Sequence, residues 1–90
     1  MISSCQIRAG RSLLGWSAAE LANRSGVGVA TVRRYELKEG IPAGNSQTLH
    51  TLQKTMESAG IEFTGDPLAN PGVTLHVNRR SDQSPQSPQS

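Results

Sequence analysis

Cysteine is nearly absent from this sequence. Cys5 is alone in 90 residues, so no intrachain disulfide can form, which fits a reducing cytoplasm. Aromatic residues are also scarce, with one Trp, one Tyr and one Phe. The core must therefore be modest and aliphatic, and a domain this thin often draws stability from a partner subunit. No stretch approaches the roughly 18 apolar residues of a membrane span, and the N-terminus lacks the charged-then-apolar pattern of a secretion signal. The expectation is a single cytoplasmic domain with no membrane attachment. The chemistry of catalysis is missing too. His50 and His76 are far apart and neither has a second ligand at metal-binding spacing. Cys5 has no evident activating partner, and the serines, histidines and aspartates fall into no nucleophilic arrangement. Gly26-Val27-Gly28 is turn chemistry rather than a phosphate cradle. No catalytic residue, metal or cofactor is expected.

What the chain does have is an uneven distribution of charge. The formal net charge is only +2, yet residues 1–40 carry six cations (Arg8, Arg11, Arg24, Arg33, Arg34, Lys38) against Glu20, Glu36 and Glu39, while residues 41–90 are slightly acidic. A positive field concentrated on one half suits an anionic partner.

The same half has the clearest helical punctuation. Ser3 or Ser4 can cap a first helix running to about Leu14, with Ile7, Gly10, Arg11 and Leu14 on one face and Gly15 as its stop. Ser17 can cap a second helix, and Glu20 three residues on would complete a capping box. Trp16, just before the cap, is placed to staple onto Leu21. Gly26 ends this helix at positive φ. A third helix spans about 28–37. Its Val32 and Tyr35 face inward with Val27 from the turn, leaving Val29, Ala30, Arg33 and Arg34 outward. After Gly40, Pro42 and Gly44, a fourth helix starts near Asn45 or Ser46, carries Leu49, Leu52, Met56 and Ala59 in one stripe, and stops at Gly60. The period then changes to two. Ile61 and Phe63, then Val73, Leu75 and Val77, alternate with polar residues and read as two short strands. The fold class expected is mainly α: four helices followed by two C-terminal β-strands, one domain over 1–78. Residues 79–90, polar and proline-bearing, read as a disordered tail.

Two short helices joined by a tight turn at about 17–37, the second bearing Arg33-Arg34, have the geometry that carries a side-chain row into the major groove of double-stranded DNA. Residues from about Gln6 to Gly60 resemble the phage repressor/Cro-like (XRE) family of bacterial regulators. The resemblance is carried by Leu14-Gly15-Trp16-Ser17, Glu20-Leu21-Ala22, Ser25-Gly26-Val27, Thr31-Val32 and Tyr35-Glu36. It implies that the third helix is the recognition helix, that the start of the second abuts the phosphate backbone, and that Arg11 and Glu36 form a semi-buried structural pair. It puts Arg34 at a base-facing position and Arg33 nearer the backbone. A guanidinium can grip the O6/N7 edge of guanine or hold a phosphate. Val29 and Ala30 open the helix and offer apolar contact to thymine methyls. Ser17, Thr31 and Lys38 are the remaining phosphate candidates. The chain departs from the family twice: Ala18 replaces a common glutamine, and Gly28 replaces a Ser or Thr cap.

The leading expectation is a sequence-specific regulator of transcription acting as a homodimer, within which an antitoxin or autorepressor of a small operon is a variant. The alternative is a protein-interaction adaptor that turns the same fold toward a protein partner. Ile61, Phe63, Val73, Leu75 and Val77 look too apolar for a solvated hairpin and are the expected dimer interface, with strand edges pairing between chains. The competing arrangement folds the strands back over the fourth helix of their own chain.

Overall fold

In a computed structural model, which describes residues 1–42 and 46–77, helices α1 (Ser4–Leu14), α2 (Ala18–Ser25), α3 (Val29–Leu37) and α4 (Ser46–Ser58) precede strands β1 (Ile61–Thr64) and β2 (Gly72–Leu75). The fold is the mainly helical one expected, with two antiparallel strands after the helices. The expected tail from 79, and Gly44 and Asn45, lie outside the described residues.

Local chemistry explains most boundaries. Ser3 caps α1 in an extended conformation, and its backbone N–H donates to the Gln6 side chain at 2.9 Å. Gly15 closes the helix at φ 72, a left-handed conformation that side chains resist. At the next helix Ser17 Oγ accepts the Glu20 N–H at 3.0 Å. The reciprocal half of the expected capping box is absent: the Glu20 carboxylate instead takes the Arg24 guanidinium at 2.6 Å, one helical turn on. Arg24 also lies 4.5 Å over the Trp16 ring, a cation–π contact on the outer surface of α2.

α1, α2, α3 and α4 enclose one core. Ile7, Leu21, Val32, Tyr35, Leu49, Leu52 and Met56 fill it, with Ile2 added from ahead of the first cap. Gly10 lets α1 approach closely. A Cβ there would sit 3.1 Å from Met56 Sδ and 3.6 Å from the Phe63 ring, so one missing methyl brings α1, α4 and β1 together.

The strands pair in the register Ile61↔Leu75, Glu62↔Thr74, Phe63↔Val73 and Thr64↔Gly72. They fold back on their own chain, where β2 packs on α1 and β1 on α4. Ile61 is a core residue at 4% exposure, and Phe63, Val73 and Leu75 pack partly buried against the same cluster. These apolar side chains thus pack, in part, within their own subunit, as in the arrangement that folds the strands back on their own chain. Val77 lies past the end of β2, 62% exposed, because the ladder stops at Leu75. Gln6, itself buried, clamps the sheet: its side-chain amide donates to Gly72 O at 3.0 Å and Thr64 O at 3.3 Å.

Candidate nucleic-acid interface

α2 and α3 are joined by the Gly26–Gly28 turn. Gly26 has φ 78, and its N–H returns to Ala22 O at 2.9 Å. A Cβ at Gly26 would meet nothing within 4 Å, so a side chain here is opposed by backbone conformation alone. Gly26→Val is expected to destabilise the fold by about 1–2 kcal/mol. Thermal melting checks this, and an unchanged melting temperature would contradict the turn geometry.

α3 buries Val32, Tyr35 and Glu36 and exposes Ala30, Arg33, Arg34 and Leu37. These exposed positions recur at i, i+3, i+4 and i+7 and form one outward stripe. Val29, expected to face out, is half-buried against the core. It stands three residues before Val32 and shares that inner face, which leaves less of its side chain open to a base edge than at Ala30. Leu37, 84% exposed at the end of the stripe, escaped sequence reasoning because an apolar residue in last-turn position reads as core.

Among the described residues no carboxylate lies within ion-pair distance of Arg33, Arg34 or Lys38. All three are exposed, and the Arg34 guanidinium stands 5.8 Å from the centre of the Tyr35 ring. Thr31 is half-buried on the flank of the helix. Ser17, at the exposed start of α2, uses an oxygen lone pair for its cap and keeps its O–H to donate. Lys38 follows α3 with an extended backbone.

The stripe is held from behind by α1. Arg11 meets the Glu36 carboxylate with two parallel bonds, Nε to Oε2 at 2.8 Å and Nη2 to Oε1 at 2.9 Å, and gives Nη1 to Trp16 O at 2.9 Å. The hydrogen bond to Glu36 raises the Arg11 pKa above its ordinary value, against a smaller opposing effect of burial. Two further contacts were not foreseen. Ser4 Oγ donates to Tyr35 O at 2.6 Å, and the Arg8 guanidinium donates to Glu36 O. α3 ends without a left-handed cap, so its last carbonyls need outside donors, and α1 supplies them.

Residues 7–46 match the family model described as Helix-turn-helix. They form a helix-turn-helix domain of the XRE/Cro-like family. No curated protein matches the chain. The match runs from within α1 through α3 to the first residue of α4, so the two strands stand outside it. The helix-turn-helix domain is of the DNA-binding transcription-regulator kind, a family of regulators rather than enzymes. Among the described residues no His, Cys, Asp or Glu cluster is placed to hold a metal ion, and no helix is long and apolar enough to cross a membrane.

Proposed function

We propose that the chain binds double-stranded DNA sequence-specifically, with α3 in the major groove, and regulates transcription as a homodimer. The observation that carries this is the exposed stripe Ala30–Arg33–Arg34, whose two guanidinium groups have no carboxylate partner among the described residues and project from a helix braced by α1. Arg34 reads a base, Ala30 contributes an apolar contact beside it, and Arg33, Lys38, Thr31 and Ser17 contact phosphates around the groove. The start of α2 adds its unpaired backbone N–H groups to that backbone contact.

Selection of bound sites from random duplex DNA, followed by footprinting, tests the reading and yields the half-site. On the selected site, Arg34→Ala is expected to cost about 1–3 kcal/mol and relax preference at one base pair. Arg33→Ala should weaken specific and random DNA alike and lower the salt slope by about one. Equal losses on both DNAs for Arg34→Ala would reassign that residue to a phosphate. No salt-dependent binding to any duplex would overturn the proposal.

The homodimer rests on two features. One short recognition helix spans a single half-site, and a sheet of only two strands leaves an outer edge on each strand. Because the strand faces are used inside the subunit, pairing would run through those edges, with Val77 beside them. Sedimentation with and without the selected DNA measures it. A monomer that footprints a lone half-site with full affinity would remove dimerisation from the proposal.

A further inference from the structure

We propose that the cleft between the start of α1, the segment following α3 and the β1–β2 loop is a docking site for an acidic segment of another protein that carries aliphatic side chains. This stands independently of whether the chain binds DNA.

The cleft, about 380 Å³, brings Leu37 and Leu68 together with Pro67 and Pro71. The two leucines are 84% and 65% exposed. They come from different elements, more than thirty residues apart in sequence, so their convergence is a product of the fold. Large apolar side chains left open side by side mark interaction surfaces more often than singly exposed ones do.

The walls of the cleft are already formed. In the β1–β2 loop Asp66 Oδ1 accepts the N–H groups of Leu68 and Ala69 at 2.8 and 3.0 Å, and Asn70 Oδ1 accepts the Asp66 N–H at 2.6 Å. These backbone bonds also hold the Asp66 carboxyl below its ordinary pKa. The Leu68 side chain lies over Gly40, whose missing Cβ would be 3.4 Å from a Leu68 methyl. Gly40 O in turn accepts the Ser4 N–H at 2.9 Å. An occupant would therefore meet a surface that needs little ordering, which favours affinity.

Charge selects the occupant. Arg8 and Lys38 line the cleft against one carboxylate, Glu39. Neither cation forms an ion pair among the described residues. A second copy docking here symmetrically would bring the same cations against each other. Duplex DNA would match the charge but not the leucine–proline floor. An acidic segment with aliphatic anchors satisfies both, its apolar side chains central and its carboxylates at the rim. Such a partner would cover Lys38 and the end of α3, and would therefore compete with any ligand of that helix.

Cys5 is exposed, lines the same cleft and is the chain's single cysteine. Its alkylation by a maleimide thus reports occupancy directly. The probe is a short fluorescent synthetic peptide with two leucines flanked by glutamates, alongside versions with the leucines changed to serine and with the glutamates changed to lysine. The acidic leucine peptide is expected to bind the full chain by anisotropy and to slow Cys5 alkylation. Leu68→Ser and Leu37→Ser should each weaken binding about tenfold, as truncation of a buried anchor does, and Lys38→Glu should also weaken it. Circular dichroism melts verify that the variants, all at exposed positions, remain folded. The proposal is overturned if the peptide neither binds nor protects Cys5, or if the lysine or serine versions bind equally. It is also overturned if binding survives all three substitutions, or if Cys5 is protected by raising protein concentration alone. Leu68→Ser should leave duplex binding unchanged, so failure here and failure of DNA binding are read separately.

Discussion

Glu36→Ala is expected to lower the unfolding free energy by about 3 kcal/mol, near the low end of the range for removing one partner of a buried ion pair. The Glu36 and Arg11 side chains are 9% and 24% exposed, so loss of the carboxylate leaves a guanidinium largely cut off from water. Arg11 keeps its bond to Trp16 O, which retains part of its satisfaction and argues against a still larger loss. The exposed pair Arg24–Glu20 is the internal comparison. At 2.6 Å it is the shorter contact, but its side chains are 52% and 41% exposed, and such pairs contribute about 0–1 kcal/mol. Burial rather than distance should therefore order the two variants. Urea denaturation of Glu36→Ala beside Glu20→Ala measures this, and similar midpoint shifts would show that the α1–α3 tie is worth no more than a surface contact.

A comparable loss, about 3 kcal/mol, is expected for Gln6→Leu, for a different reason. Leucine is close to glutamine in size, so no large cavity opens at this buried position. What disappears is the acceptor for Ser3 N–H and the donors to Thr64 O and Gly72 O. Each polar group left buried and unpaired costs about 1–3 kcal/mol, partly offset here by added apolar contact and by water reaching the half-buried strand carbonyls. The whole domain is expected to be stable by only about 5–10 kcal/mol, so either substitution removes a large fraction of it. Equilibrium denaturation decides the matter. A variant as stable as the parent would mean that the strands do not depend on α1 for their polar partners.

The helices were legible because their signals are local. Gly15 and Gly26 mark ends that require positive φ, Ser17 marks a start, and Leu49, Leu52 and Met56 mark a buried stripe. The strands were legible from alternation at Ile61, Phe63, Val73 and Leu75. What could not be read was which polar residues would be buried. Ser3, Ser4 and Gln6 look like the solvated start of a helix, yet all three are buried. For Ser4 and Gln6 the reasons lie at Tyr35, Thr64 and Gly72, in contacts that only the assembled fold creates. Glu20 shows the same limit on a smaller scale. Its spacing from Ser17 suits a capping box, but Arg24 one turn on offered a charged partner. The outward stripe was read in part: Ala30, Arg33 and Arg34 lie on it, while Val29, expected outward, is half-buried and Leu37, given no side, completes the stripe. Alternation in the strands showed an apolar face without showing which elements pack on it, namely α1 and α4.

The open end of α3 bears on the order in which the chain assembles. Its terminal carbonyls are capped by Ser4 and Arg8, 31 and 28 residues distant, so the last turn has no local means of closing and must wait for a loop containing all of α2 to form. Loop closure of that length carries an entropic penalty before any bond repays it. The last turn of α3 is thus expected to be completed late in folding, together with the docking of α1. Amide exchange in its last turn should follow opening of the whole domain rather than fraying of a helix end.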